Sequence, residues 1–101
     1  MIIYNVTINV EDEAQKEWLE WMKTIHIPEV MSTGIFSSHQ IACLLTRQPD
    51  ETGTTYCIQY FCENLELYER YQKEFAPKLQ ADTQKMFGGR FVAFRSVMEM
   101  V

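Results

Sequence analysis

The sequence contains few of the residues from which secreted scaffolds, metal centres and nucleotide sites are built. Its 101 residues include three cysteines, two histidines and four glycines. Because Cys43, Cys57 and Cys62 are odd in number and lie in apolar strand-like segments, they argue against a secreted disulfide framework and favour reduced, partly buried thiols. No C-x-x-C or H-x-x-x-H spacing occurs, and Gly88-Gly89 lacks the lysine and helix of a phosphate loop. We therefore predict neither a metal nor a cofactor.

Positive charge and long apolar runs are also scarce. Nine Lys and Arg residues are scattered among 14 Asp and Glu, which gives a net charge of -5 at pH 7. Nucleic acids and anionic membrane surfaces are therefore not predicted partners. No apolar run approaches the roughly 20 residues that span a bilayer. The segment from Met1 to Val10 lacks the basic and apolar regions of a signal peptide, so we expect a cytoplasmic location.

Apolar side chains are abundant by contrast. They make up 47% of the residues, and aromatic residues make up 13%. This composition is typical of a folded globule rather than a disordered chain. Since a chain of this length can form one hydrophobic core but not two, we expect a single domain over residues 1–101.

The first half of the chain has the pattern of a strand followed by a helix. Side chains alternate over Ile2–Val10, with Tyr4 on the more apolar face and Asn5, Thr7 and Asn9 on the other. Asp12 can cap a helix whose apolar residues recur every three or four positions as far as Ile25. Because proline disfavours helix at the preceding residue, Pro28 predicts a break near His26, followed by one further helical turn.

The second half of the chain has the pattern of two strands, a helix and a last strand. Turn residues at 48–53 separate two apolar strands and predict a hairpin. Asn64 can cap a second helix, which Pro77 should kink or restart. A last strand alternates after Gly88-Gly89. The predicted segments are strands over 35–47, 54–62 and 90–98, with the helix starting after residue 64.

The resulting order, βαββαβ, is that of a ferredoxin-like α+β fold. Right-handed crossovers place both helices on one face of a four-stranded antiparallel sheet. The other face is left open, and every strand carries apolar residues on both of its faces. An apolar surface of this kind usually marks an interaction site, and a two-fold dimer is the commonest way to cover it. We therefore predict a homodimer formed through the open face.

Five segments of the sequence resemble those of a known group of proteins, and the resemblance covers essentially the whole chain. They are residues 3–7 (IYNVT), 18–22 (WLEWM), 26–28 (HIP) with 33–36 (TGIF), 56–60 (YCIQY), and 94–95 (FR). The chain resembles the dimeric α+β barrel superfamily, and within it a bacterial family of unknown function. The resemblance implies two ferredoxin-like sheets closed face to face, with the helices outside. Its relatives include antibiotic-biosynthesis monooxygenases, muconolactone-type isomerases and stress-response barrel proteins, with pockets between sheet and helices.

Haem-degrading members of that superfamily use an Asn on the first strand, a Trp on the third and a His on the second helix. Asn5 occupies the first position, but the third strand has Tyr60 and Phe61 without Trp, and residues 65–86 contain no histidine. The resemblance therefore does not imply haem binding by this chain.

His26 is the polar residue that the sequence singles out for chemistry. An imidazole where Pro28 turns the chain could act as an acid or base. Alternatively, it could cap carbonyl groups at a helix C-terminus, where a cation is favourable. Trp21 is expected to pack between helix and sheet beside it, and Tyr60 can serve core, interface or pocket.

Asn5 and Arg95 complete the candidate pocket of Asn5, Trp21, His26, Tyr60 and Arg95. They could orient a carboxylate or carbonyl if their strand faces look into the helix-covered pocket, or form dimer contacts if they look outward. The first hypothesis is a homodimeric small-molecule-binding or regulatory protein. The alternative is a cofactor-independent monooxygenase or isomerase acting on a small aromatic or carbonyl compound, with Asn5, His26, Tyr60 and Arg95 lining one cavity. Whether the protein is an enzyme stays open at this point.

Overall fold

A computed structural model describes residues 1–101 and has the predicted βαββαβ order. Two helical stretches are each divided in two, and a short π-helical segment follows α1. The elements are β1 (Ile2–Val10), α1 (Asp12–Trp21), the π segment (Met22–His26), α2 (Ile27–Ser32), β2 (Ser38–Cys43), β3 (Thr54–Cys62), α3 (Leu65–Glu74), α4 (Ala76–Phe87) and β4 (Phe91–Glu99).

The four strands form one antiparallel sheet in the order β2-β3-β1-β4. The two central strands are β1 and β3, and β2 and β4 form the edges. The register pairs Asn5 with Gln59 of β3 and with Ser96 of β4, and it pairs Val6 with Arg95. Since directly paired residues share a face of the sheet, this register decides which strand residues face the helices. The ferredoxin-like α+β fold is confirmed.

The hydrophobic core lies between the helices and one face of the sheet. Alternate residues of β1 and β3 point into it, and the α1 side is closed by Trp18, which is 0% exposed. The Trp18 ring packs against Tyr56, with ring centroids 5.1 Å apart. Tyr4 lies at the centre of an aromatic cluster that includes Phe36, Tyr60 and Tyr71. Large aromatic side chains therefore supply much of the buried area in this small domain.

The first helical stretch does not break near His26 as predicted. It runs to Ser32, with wider π-helical turns between Met22 and His26. The backbone N–H of Ile27 bonds to the carbonyl of Met22, five residues back. Pro28 has no N–H to donate, and its ring would clash with the carbonyl four residues earlier in a regular helix. The π segment accommodates this proline within a continuous helical stretch.

Three smaller predictions have different outcomes. The strand predicted over 35–47 spans only Ser38–Cys43, which pairs with residues 56–61 of β3. Asp12 does not cap α1, because Glu11 holds the N-cap position and Asp12 is the first helical residue. The Asp12 carboxylate accepts a hydrogen bond from the Thr54 hydroxyl at 3.2 Å. The restart at Pro77 is confirmed, because α3 ends at Glu74 and α4 begins at Ala76.

The three thiols are free and differ in exposure. Cys43 is exposed, Cys57 is half-buried and Cys62 is buried. Cys57 pairs with Ala42 in the sheet rather than with Cys43. None of the helices combines the length and the apolar composition that crossing a membrane requires.

Candidate functional site

A small cavity lies between the helix-covered face of the sheet and α4. Its volume is about 30 Å³ and it is lined by 13 residues, most of them hydrophobic. A space of this size holds roughly one water molecule. The polar atoms that reach it belong to His26, Gln80, Thr83, Arg95 and the tyrosines Tyr4, Tyr60 and Tyr71. Polar groups from six separate elements therefore converge inside an otherwise apolar layer.

A wider cleft adjoins this cavity at the edge of the sheet. Its volume is about 270 Å³, and it lies between α4 and the edge strand β4. Four lining residues, Gln80, Thr83, Phe91 and Arg95, belong to both the cavity and the cleft. The cleft is thus an outer chamber that leads toward the buried tyrosines and His26.

His26 is held from two sides. Its Nδ1 atom lies 3.5 Å from the Thr83 hydroxyl oxygen, and that hydroxyl donates to the Leu79 carbonyl at 3.2 Å. The Trp21 indole stacks on the imidazole, with ring centroids 5.2 Å apart and planes inclined by 22°. His26 is the last residue of the π segment, within a continuous helical stretch, and its side-chain hydrogen-bond partner is Thr83. Of the two roles left open by the sequence, the structure therefore supports the cavity and not the helix cap.

Burial changes the protonation of the site. Burial lowers the pKa of His26 from 6.5 to about 4; Asp82 opposes this shift, and the nearby Arg95 charge contributes to it. Burial also raises the pKa of Tyr4, Tyr60 and Tyr71. Near neutral pH the imidazole is therefore uncharged, and the three phenols keep their protons.

Arg95 supplies the positive charge of the site. Its side chain is exposed at the cleft, and its charge opposes the rise in the pKa of Tyr4 and of Tyr71. The salt bridges of the protein join Arg70 to Glu74 and Lys78 to Asp82, so Arg95 has no carboxylate partner within 4.0 Å. An unpaired guanidinium beside a cleft is suited to binding a carboxylate or another anion through paired hydrogen bonds.

The structure brings three of the five predicted pocket residues together. His26, Tyr60 and Arg95 line the cavity, and Trp21 lies behind His26 without lining it. Asn5 lies on the opposite, open face, paired with Gln59 and Ser96. A single cavity containing Asn5, His26, Tyr60 and Arg95 is therefore not formed. Of the two residues whose sheet face the sequence left open, Asn5 lies on the open face and Arg95 on the helix-covered face.

Asn5 instead belongs to a polar network at the centre of the open face. Its amide nitrogen donates to the Thr7 hydroxyl at 3.0 Å and to the Ser96 hydroxyl at 3.4 Å, and its oxygen accepts from Gln59 at 3.3 Å. Asn5 is only 6% exposed, although no helix covers this face. Exposed apolar residues flank the network on β4, with Phe94 at 66% and Val92 at 70%.

Sequence reasoning missed four polar residues of the cavity, namely Tyr4, Tyr71, Gln80 and Thr83. The two tyrosines give no specific signal, because tyrosine fits a core as well as a pocket. A weak signal existed for Thr83, which follows Leu79 by four residues on the inner face of α4. No group of three or more His, Cys, Asp or Glu side chains is placed to hold a metal ion.

Comparison with known proteins places the chain in a family and a fold. Residues 1–101 match the family described as Domain of unknown function (DUF4286). No curated protein matches the sequence.

Solved structures are similar in fold at low sequence identity. A protein of the ethyl tert-butyl ether d (ethd) family from Bacillus halodurans aligns with a TM-score of 0.67 and 14% identity, over 99% of this chain and 100% of that chain. SnoaB, a cofactor-independent oxygenase from Streptomyces nogalater, aligns with a TM-score of 0.64 and 9% identity, over 98% and 91% of the two chains. A dimeric ferredoxin-like protein of unknown function from Thermobifida fusca aligns with a TM-score of 0.57 and 12% identity, over 97% and 92%. At these identities the similarity establishes the fold alone.

Proposed function

The chain belongs to the DUF4286 family of unknown function, and on that premise we propose that it is a homodimeric protein that binds a small anionic aromatic molecule. The ligand lies in the cleft between α4 and β4, with its anionic group on Arg95 and its ring directed toward the tyrosines. The free thiols favour a reducing, cytoplasmic setting for this function.

The observation that carries this proposal is the unpaired Arg95 at the junction of cleft and cavity. A guanidinium without a carboxylate partner can form charge-assisted hydrogen bonds to an anion. Tyr4, Tyr60 and Tyr71 behind it offer ring faces and protonated hydroxyl groups. Together they match a planar molecule with one acidic end.

The two volumes limit how such a ligand is placed. The inner cavity of about 30 Å³ is too small for an aromatic ring, whereas the cleft of about 270 Å³ approaches the lower range of ligand sites. We therefore place most of the ligand in the cleft. Only one edge or substituent reaches the inner cavity beside His26.

The homodimer is part of the proposal because of the open face. Val92 and Phe94 are largely exposed there, while the Asn5 network already satisfies the polar groups at its centre. A second copy of the face would cover this apolar surface without leaving the central amide unpaired. The Thermobifida fusca protein, described as dimeric, has the same fold.

Calorimetric titration with benzoate and with its neutral analogue benzamide tests the binding site. We expect benzoate to bind and benzamide to bind at least about tenfold more weakly, because a charge-assisted hydrogen bond contributes about 1.5–3 kcal/mol. R95Q should lose the preference for benzoate. The matched control is R70Q, since Arg70 lies on α3 in an exposed pair with Glu74. Equal affinity of R95Q and the natural protein for benzoate would overturn the proposed site.

Sedimentation at micromolar concentration tests the dimer. F94E places a charge on the open face and should give monomers that keep the native circular dichroism spectrum. M86E is the control, because Met86 is 53% exposed on α4, away from that face. A monomeric natural protein, or a dimer unaffected by F94E, would refute the proposed interface.

An enzyme acting on a small aromatic or carbonyl compound is the second candidate function, either as an isomerase or as a cofactor-independent monooxygenase. The specific observation in its favour is that an uncharged imidazole from the helix layer and a guanidinium from the sheet line the same cavity.

A further inference from the structure

We propose that the cavity catalyses proton transfer on an enolisable aromatic keto acid, with His26 as proton acceptor and donor and Arg95 as the anchor for the substrate carboxylate. This inference rests on the proposed binding site and adds a reaction to it. His26 Nε2 takes a proton from the carbon beside the ketone, and the C–H electron pair forms a C=C bond as the carbonyl π pair moves to oxygen. The imidazolium then protonates that oxygen, which yields the enol and restores neutral His26.

The chemistry of the lining residues leaves His26 as the proton acceptor. Arg95 offers only N–H donors and no acceptor, and burial keeps protons on the cavity tyrosines. Gln80 and Thr83 have no basic nitrogen or carboxylate. The remaining lining residues are hydrophobic. A proton removed from a bound molecule therefore has one destination within the cavity.

Thr83 determines which imidazole nitrogen is basic. Its single hydroxyl proton is directed to the Leu79 carbonyl at 3.2 Å. Its oxygen is then an acceptor toward His26 Nδ1, 3.5 Å away, so Nδ1 carries the proton of the neutral ring. The lone pair consequently resides on Nε2. Thr83 is thus a positioning residue, which acts through His26 by selecting its tautomer.

The geometry around the ring supports the same role. Trp21 stacks on the imidazole and restricts its rotation. His26 is the last residue of the π-helical turns at 22–26, and such turns occur frequently at functional sites. The inner cavity is large enough for a small substituent beside the ring, while the aromatic part of the substrate stays in the cleft.

The charge of Arg95 links binding of the substrate carboxylate to the basicity of His26. The groups that act on His26 are Arg95 from β4, which lowers its pKa, and Asp82 from α4, which raises it. The Asp82 carboxylate is itself paired with Lys78 at 3.3 Å. Three neutral tyrosines from β1, β3 and α3 line the remaining sides. A substrate carboxylate on Arg95 offsets the guanidinium charge and so makes His26 a stronger base when substrate is bound.

Phenylpyruvate is the probe for this reaction. In D₂O, proton NMR follows the loss of its benzylic protons, corrected for the rate without protein, and calorimetry measures its binding separately. We expect the natural protein to accelerate exchange. H26Q should retain binding and lower kcat by about a hundredfold or more, as expected for loss of a general base. R95Q should weaken binding, whereas the control R70Q should match the natural protein.

Thr83 variants separate positioning from packing. T83V keeps the shape of the side chain but removes its hydroxyl, and we expect kcat to fall by up to about tenfold with an altered pH profile. T83S restores the hydroxyl and should recover both the rate and the profile. An unchanged pH profile in T83V would contradict the tautomer assignment.

The outcomes distinguish the two proposals. If benzoate and phenylpyruvate bind but exchange stays at background, the reaction is refuted and the binding function stands. If benzoate binds and phenylpyruvate does not, the substrate class is wrong. If neither binds, the binding site itself fails, and exchange at the natural rate in H26Q would exclude His26 as the base.

Discussion

Trp21 and His26 form a stacked pair that connects the helix layer to the cavity. Their ring centroids are 5.2 Å apart, and the planes are inclined by 22°. An aromatic face generally favours a cation above it. Burial nevertheless dominates here and holds the pKa of His26 near 4. The indole therefore positions a neutral ring and does not stabilise an imidazolium.

This low pKa predicts a defined pH window for stability. The pKa of His26 falls from 6.5 to about 4 on folding, so the unfolded chain takes up a proton at higher pH than the native state does. The His26 contribution should be fully present above pH 6.5 and fall as the pH drops toward 4, by at most about 3 kcal/mol. Urea titrations across this range measure the loss.

H26Q removes this imidazole, so the His26 contribution to the pH dependence of the unfolding free energy should disappear. H39Q changes an exposed residue and should keep that pH dependence. The prediction fails if the natural protein and H26Q lose stability equally between these pH values.

Gly53 should be the least replaceable glycine, because a side chain there has no space. Its φ is +75°, and an added Cβ would lie 2.5 Å from Asn9 Oδ1 and 2.7 Å from the Val10 carbonyl oxygen. Gly34 has a similar φ of +77° but no atom within 4 Å of such a Cβ. We expect G34A to cost about 1–2 kcal/mol from backbone conformation alone. G53A should cost clearly more in the same thermal unfolding experiment, and equal costs would argue against the close contact.

Trp18 should tolerate replacement by phenylalanine better than its complete burial suggests. Its Nε1 atom is buried and has no hydrogen-bond partner. W18F removes an unsatisfied donor while it leaves a smaller ring in the core, so the two effects partly cancel. We expect W18F to lose about 1–2 kcal/mol and W18A about 3–5 kcal/mol in denaturant titrations. Similar losses in both variants would show that the indole N–H contributes to stability.

Asn64 should set the start of α3. Its side-chain oxygen accepts a hydrogen bond from the Leu67 backbone N–H at 2.9 Å. N64A should lower the free energy of unfolding by about 1 kcal/mol, and N64D should retain most of the stability, because aspartate caps equally well. Thermal unfolding followed by circular dichroism compares the two variants. A neutral N64A would indicate that packing alone fixes this end of the helix.

The fold could be predicted in large part because local patterns were consistent with one another. Alternation in β1 and β3, the capping Asn64 and the restart at Pro77 each specify an element without reference to the rest of the chain. The π segment could not be predicted, because the effect of Pro28 depends on whether packing keeps the flanking helices together. β2 is also shorter than its apolar pattern indicated.

The candidate site was predicted only in part. His26, Tyr60 and Arg95 were identified by residue type, and they do share a cavity. Asn5 was grouped with them although it lies on the other face of the sheet. A strand sequence separates two faces but does not say which face the helices cover.

The sequence by itself determined the order of the elements and the two alternating faces of each strand, because backbone geometry fixes a period of two. Only the tertiary structure decided that Val6 pairs with Arg95 and that Asn5 pairs with Ser96. A shift of one residue in register would exchange the faces of all β4 side chains. That register places the guanidinium beside His26 and leaves the Asn5 amide on the open face.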